Sequence, residues 1–508
     1  MIKRALVSVS NKEGIEELSR QLAELDIEIV STGGTASRLE SSGIKVRSIS
    51  DLTGFPEIMN GRVKTLHPKV HGGILAVRDN EEHQRAMKEN NIQPIDLVVV
   101  NLYPFEETVL LGAEHAEVIE NIDIGGPSMV RSAAKNYKHV IVVVDPMDYA
   151  QVVSELKDTS DISQEFRYYL MQKAFAHTAY YDSMIAKYMN RTNAFNDELS
   201  FGFKKIADMR YGENPHQAAA FYKEPFVEET NITNAEIIQG KQLSYNNIMD
   251  ADAALRMVKE FTEPTAVVVK HANPAGIAVD ESISVAFKRA FEADAKSAFG
   301  GIVALNRNCT KEIAEYLSKV FIEIVLAPDF EDEALDLFAK KKNVRVLRMG
   351  EIKTVDQLWD TKKVVGGILV QDMNKYQLQS DDIKVVTKTK PTDEQMRDLL
   401  FAWKVCKHVK SNAIVLADNN TTIGVGAGQM SRIDATKMAL WKAGDQAGGS
   451  VLASDAYFPF RDTIDAVAPE GIKAIIQPGG SIRDSEVIDA ADEHGIAMIF
   501  TEHRSFLH

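Results

Sequence analysis

An α/β architecture in more than one domain is predicted by three observations. Short β-branched runs alternate with stretches whose apolar residues recur at helical spacing. Gly-rich turns follow several of these runs, where strand passes into helix. Near Lys390 the helix–strand pattern begins again, which suggests a duplicated unit. Such alternation implies parallel strands joined by right-handed crossovers. At 508 residues the chain exceeds what one hydrophobic core organises, and about two to four domains are expected.

Composition narrows the functional class. A formal net charge of −15 disfavours nonspecific binding to nucleic acid or a membrane surface, so an anionic ligand must meet local basic clusters. No apolar run approaches the ~18 residues of a membrane span. The opening residues turn polar too soon for a signal peptide. Two cysteines, Cys309 and Cys406, have no paired spacing, which suits a reducing cytoplasm and supplies no thiolate metal site.

Residues 3–9 read as a strand, and Ser10 or Asn11 as the N-cap of a helix carrying Ile15, Leu18, Leu22 and Leu25. Residues 27–30 form a second strand. Thr32-Gly33-Gly34-Thr35 then leads into a helix over 36–39 and offers free backbone N–H groups to a phosphate. The spacing is neither a Walker loop nor a dinucleotide fingerprint, so a plain tight turn remains the alternative. Gly61–Gly73 holds Arg62, Lys64, His67, Lys69 and His71, and alternation would place Arg62 and Lys64 on one side. This is an anion site or a solvated basic loop. Residues 95–100 are a strand ending at Asn101-Leu102-Tyr103-Pro104-Phe105. Pro127 suits a first helical position, in a helix bearing Arg131 and Lys135 one turn apart. A strand over 140–144 and a long helix over 165–189 follow, and the polar stretch 191–200 marks a domain boundary.

Beyond it, Arg210-Tyr211-Gly212-Glu213-Asn214-Pro215-His216-Gln217 is a loop of turn formers. A helix over 250–261 delivers the chain to a buried strand over 265–269 that stops at Lys270-His271. Adjacent strand residues face opposite sides, so a turn, assigned to Asn273-Pro274 and Gly276, is needed to aim both into one cleft. A capped strand end with a solvated lysine is the competing reading. Helix 282–293 precedes Phe299-Gly300-Gly301 and strand 302–305, where glycine leaves room for close approach. Helix 392–406, strands 413–417 and 421–425, and a helix opened by Ser431-Arg432 complete the pattern. No Cys-x-x-Cys occurs and His-x-Glu is absent beside the candidate strand ends, which argues against zinc-dependent deamination.

Seven segments, in order, resemble those of the bifunctional family that is an aminoimidazole carboxamide ribonucleotide (AICAR) transformylase and an inosine monophosphate (IMP) cyclohydrolase. They are Gly-Arg-Val-Lys-Thr-Leu-His-Pro, Asn-Leu-Tyr-Pro-Phe, Ile-Asp-Ile-Gly-Gly-Pro, Arg-Tyr-Gly-Glu-Asn-Pro-His-Gln, Lys-His-Ala-Asn-Pro-Ala-Gly, Gly-Ala-Gly-Gln-Met-Ser-Arg and Phe-Pro-Phe-Arg-Asp. The resemblance implies a methylglyoxal-synthase-like parallel-sheet cyclohydrolase domain over 1–198. It implies a transformylase domain over 199–508, built of two cytidine-deaminase-like α/β units without zinc, about 200–385 and 386–508. A cytoplasmic homodimer with transformylase sites between subunits is implied, as are AICAR, formyl-AICAR, IMP and 10-formyltetrahydrofolate as ligands and no metal for the chemistry.

By the same resemblance, Ser10, Asn11, Lys12, Thr32, Gly33, Gly34, Thr35, Arg62, Lys64, Thr65, Asn101, Asp123 and Ile124 hold the nucleotide of the first site. Lys135, with Lys64, Tyr103 and Asp123, serves ring closure. Lys270 and His271 perform formyl transfer, and Arg210, Tyr211, His271, Gly300, Glu323, Asn412 and Arg504 face the second nucleotide. Arg432, Ile433, Tyr457, Ser481 and Ile482 lie along the folate. Relatives often have Cys at the position of Ala275, so no thiol nucleophile is needed there. Rival readings are another folate-dependent formyltransferase, a cyclohydrolase with an unrelated second domain, and a nucleotide sensor that has lost the chemistry; intact Lys64, Lys135, Lys270 and His271 weigh against the sensor.

Overall fold

The computed structural model describes residues 2–190, 195–355 and 358–508. The chain divides into two compact units, Met1–Lys204 with Lys223–Phe226, and Lys205–Tyr222 with Val227–His508. Of the polar break expected at 191–200, residues 191–194 lie outside the described residues and 195–200 carry neither helix nor strand. Among the described residues, no helix is long and apolar enough to cross a membrane.

In the first unit, Arg4–Val9 (β1), Glu28–Ser31 (β2), Arg47–Ser48 (β3), Leu97–Asn101 (β4) and Ile141–Val143 (β5) form one sheet in the order β3-β2-β1-β4-β5. Every neighbouring pair is parallel. Ala5-Leu6-Val7, Leu97 to Val100 and Ile141 to Val143 are buried without alternation, as parallel strands covered on both faces require. The strand order reverses between β1 and β4, so a crevice opens beyond their carboxyl ends.

Helix starts differ from expectation, the expected 36–39 helix beginning at Gly33 and the 250–261 helix at Tyr245, and two further starts show why. Ile15–Glu24 begins after Gly14, held at φ 67° with no side-chain cap. The amides of Ser10 and Asn11 instead donate to Asn101 Oδ1 at 2.5 and 2.9 Å, which holds that segment across the end of β4. Helix Gly125–Lys135 starts two residues before Pro127, because Asp123 Oδ1 accepts the Gly126 N–H at 2.8 Å and secures the first turn.

The second unit is organised on one mixed sheet of 12 strands. Thr265–Lys270 pairs antiparallel with Asn273–Val279 and with Ile302–Leu305, after which Ile324–Ala327 and Arg345–Arg348 add in parallel. Ile414–Asp418 repeats this with Thr421–Gly426, Val451–Ser454, Ala474–Gln477 and Ala497–Phe500. Each set is closed by an antiparallel strand from just before it, Glu236–Gln239 on Arg345–Arg348 and Lys384–Val385 on Ala497–Phe500. The chain is therefore duplicated in topology. Lys384–Val385, counted with the earlier unit in the sequence reading, belongs to the later repeat by its pairing. The two repeats share one sheet through Ala278 and Thr421, reinforced by the Ile277 N–H donating to Thr422 Oγ1 at 2.9 Å.

The turn after Lys270 is also displaced from expectation. His271 and Ala272 form it, at φ 53° and 56°, while Asn273–Val279 runs on as a strand. A bulge between Pro274, paired with Val269, and Gly276, paired with Val268, leaves Ala275 without a partner in the ladder. Gly276 serves close approach: a Cβ there would lie 1.9 Å from the Ala290 carbonyl oxygen on the covering helix Ile283–Ala293.

Candidate active sites

The crevice of the first unit is a cleft of about 590 Å³. Two helix N-termini open onto it. Helix Gly33–Ser41 follows Thr32, whose side chain caps no amide, and Gly33 sits at φ 39°. The second is the Gly125–Gly126 start, where a Cβ on Gly125 would be 2.8 Å from Thr65 Oγ1 and one on Gly126 2.5 Å from Asp123 Oδ2. The uncapped amides of the Gly33 start, with the positive helix end, favour an anion. Lys64 Nζ reaches into the same space, 3.4 Å from Glu57 Oε2. Gly61, at φ 85°, has no room for a Cβ against Lys64 Cε, 2.7 Å away. Arg62 is paired with Glu120, its Nε donating at 3.0 Å.

Around the rim, Lys12 Nζ donates to the Val9 carbonyl and to Thr35 Oγ1 at 2.9 Å, and burial lowers its pKa. Ser8 and Thr32 hydroxyls are 2.8 Å apart. Burial raises the pKa of Asp123, against the opposing pull of the Gly126 and Tyr103 amides. Asp123 therefore keeps its proton to higher pH than an ordinary carboxyl, a property suited to proton delivery.

In the second unit, Lys270 Nζ donates to the Gly300 carbonyl at 2.6 Å. Gly300 itself has φ 67°, and a Cβ there would meet Phe321 at 3.1 Å and Lys270 Nζ at 3.2 Å. Both carboxylate oxygens of Asp250 accept the turn's amides, from His271 at 3.2 Å and Ala272 at 2.7 Å. The His271 side chain is exposed at the tip. Asn273 Oδ1 accepts the Lys410 N–H at 3.1 Å, tying this turn to the segment that holds Asn412. Among the described residues, no group of three or more His, Cys, Asp or Glu side chains is placed to hold a metal ion.

The family profile described as AICARFT/IMPCHase bienzyme matches residues 133–442, more than half of the chain, and an MGS-like domain profile matches 14–128. Proteins named bifunctional purine biosynthesis protein PurH, from Thermoanaerobacter sp. (strain X514) and Acetivibrio thermocellus, are each 55% identical, over 511 and 514 residues. The same-named protein of Halalkalibacterium halodurans is 54% identical over 513 residues, and all three alignments cover 100% of both chains. The chain belongs to the AICARFT/IMPCHase bienzyme family. It is accordingly a bifunctional AICAR transformylase and IMP cyclohydrolase of purine biosynthesis, with a folate as formyl donor.

Against this family assignment the placement of the expected residues is uneven. Ser10, Lys12, Thr32, Gly33, Gly34, Thr35, Arg62, Lys64, Thr65, Asn101, Tyr103, Asp123 and Ile124 all line the first cleft. Asn11 does not line it; its amide and carbonyl are held by Asn101. Lys135 is the last residue of helix Gly125–Lys135, about 15 Å along the axis from the turn that faces the cleft, and its side chain is exposed. It is not among the residues that line the cleft with Lys64, Tyr103 and Asp123. Arg432, expected along the folate, is 7% exposed: it is bound to Asp455 and donates to Asn412 Oδ1 at 2.8 Å and to the Ala413 carbonyl at 3.2 Å. Its guanidinium is thus spent on Asp455 and on the 412–413 segment. Ile433 is half-buried, Tyr457 and Ile482 are exposed, and Ser481 Oγ accepts the Arg483 N–H at 3.2 Å. Glu323 pairs with Arg345 at 2.7 Å. Arg210 stacks near Tyr211, 5.7 Å from its ring, and Arg504 over Phe506 at 4.5 Å. Sequence reasoning missed Asn60 and Glu120 in the first cleft. The Asn60-Gly61 turn signature was available; nothing local singles out Glu120.

Proposed function

We propose that the first unit closes the ring in the β1/β4 cleft and that the second transfers the formyl group at the Lys270–His271 turn, with 10-formyltetrahydrofolate as donor. The boundary falls near 198, and the working form is a cytoplasmic homodimer in which transformylase sites draw on both copies. The observation that carries the reading is the turn itself: a lysine fixed on Gly300 O at 2.6 Å beside an exposed histidine in a left-handed conformation.

The AICAR amine is a weak nucleophile, since its lone pair is delocalised into the imidazole that bears the carboxamide. As its nitrogen bonds to the formyl carbon it must lose a proton, and His271 accepts it. Lys270 stabilises the oxyanion formed from the formyl oxygen. The bond to the folate nitrogen then breaks, and His271 returns the proton there. Asn412, oriented by Arg432, directs the formyl group, and Arg210, Tyr211, Gly300, Glu323 and Arg504 hold the nucleotide. Ile433, Tyr457, Ser481 and Ile482 border the folate.

In ring closure the carboxamide nitrogen attacks the formyl carbon and water leaves. The step is intramolecular, so positioning supplies much of the rate. Asp123, protonated more readily than usual because of its burial, donates toward the departing oxygen, and Tyr103 hydrogen-bonds it. Gly33, Gly34 and Lys64 cradle the phosphate. Lys135 is left out of the chemistry of a single chain. In the full-length protein, Lys64→Ala should weaken formyl-AICAR binding and slow cyclisation by roughly tenfold or more, as loss of one charge-assisted bond predicts. Formyl transfer, followed by absorbance on mixing AICAR and 10-formyltetrahydrofolate, should be nearly intact. Equal loss of both activities would refute the division between the units.

A further inference from the structure

The second unit holds a cavity of about 470 Å³ lined by none of the residues assigned above to either reaction. Val279, the last residue of its strand, and Asn420, in the turn before Thr421–Gly426, stand in its wall. Thr265–Lys270 starts near this end of the sheet and finishes at the transformylase turn, so roughly 17 Å of strand separates the two.

Its floor is aromatic. Phe261 and Phe401 line it with ring centres 5.6 Å apart and tilted by 39°, and Trp403 lies alongside. Helix Asp393–Cys406 contributes Arg397 and Lys404, two turns apart on one face and roughly 10 Å along the axis. Lys404 Nζ stands 5.3 Å over the Phe261 ring. A third cation, Lys407, is occupied by Glu260 at 2.8 Å. Neither Arg397 nor Lys404 has an ion-pair partner among the described residues. Glu263 also lines the cavity and attracts Lys404 through space. A volume in the usual range for small-ligand sites, apolar rings and two cations free of ion pairs together define the complement of a flat, negatively charged molecule.

We propose that this cavity binds a planar aromatic anion, its ring against Phe261, Phe401 and Trp403 and its phosphate or carboxylate on Lys404 and Arg397. The probe is 1-naphthyl phosphate, titrated calorimetrically into the full-length protein. One saturable event per chain is expected, weakened about tenfold or more by Lys404→Gln and by Arg397→Gln and preserved in Lys404→Arg. Inorganic phosphate and 1-naphthol should each bind at least about tenfold more weakly than the probe, since each lacks one half of the recognition. Both catalytic activities should be unchanged in all three variants, which reports intact folding. Equal affinity of Lys404→Gln and the parent, or no saturable binding of the probe, overturns the proposal.

Discussion

The two repeats of the second unit build the same hairpin with different residues at its tip. In the first, Asp250, sixth residue of helix Tyr245–Val258, accepts the amides of His271 and Ala272. In the second, Asp398, sixth residue of helix Asp393–Cys406, accepts those of Asn419 and Asn420 at 3.0 and 2.6 Å. All four tip residues have positive φ, from 49° to 56°. Asparagine adopts that conformation readily; alanine does so at a cost of roughly 1 kcal/mol. The repeat with Asn-Asn has the tip that the fold alone would choose. The repeat with His-Ala keeps a less favourable residue and places a titratable ring there, beside a lysine. Departure from the locally favoured residue, at one of two equivalent turns, is what the proposed role of His271 in formyl transfer would require.

Substitution at the tips tests this contrast most severely. His271→Ala should lower kcat for formyl transfer by about 10²–10⁴-fold, the usual cost of losing a general base, with ring closure retained. Asn419→Ala should leave both activities as they are. Unchanged transfer in a folded His271→Ala protein would return the first hairpin to the status of the second.

A smaller effect measures how the repeats are coupled. Burial would raise the pKa of Glu260, but hydrogen bonding and charge from His408 and Lys407 prevail and hold it at about 2. A folded pKa below the ordinary value near 4.5 means that Glu260 stabilises the protein fully above that value. The contribution, on the order of 3 kcal/mol, is lost as pH falls toward about 2. Unfolding free energies from neutral to acid pH should therefore fall, and Glu260→Gln should flatten that dependence. A slope identical in the variant would contradict the assignment.

The carboxylates beneath the turns come next. Asp250→Ala and Asp398→Ala each leave two amides without their acceptor, and each should cost about 1–3 kcal/mol in denaturant unfolding. Only Asp250→Ala should also reduce transfer, since only that turn carries Lys270 and His271. The smallest difference concerns strain: Ala272→Gly should stabilise by roughly 0.5–1 kcal/mol, whereas Asn420→Gly should change stability by a few tenths at most. Equal gains at both positions would show that Ala272 is no more strained than Asn420.

Much of this was legible in the chain itself. Alternating strands and helices, the Gly33-Gly34 turn, the basic run around Lys64 and the polar pair Lys270-His271 after a β-branched strand depend on near neighbours, through periodicity, turn propensity and the abrupt appearance of charge. Tertiary structure decided what depends on distant partners. The hairpin tip lies at His271-Ala272 because Asp250, remote in sequence, takes both amides. Arg432 is buried because Asp455 and Asn412 converge on its guanidinium. The two repeats share one sheet through the pairing of Ala278 with Thr421. Each of these is set by packing between segments far apart in the chain, where local propensity has no influence and the distances are fixed only once the whole core has formed.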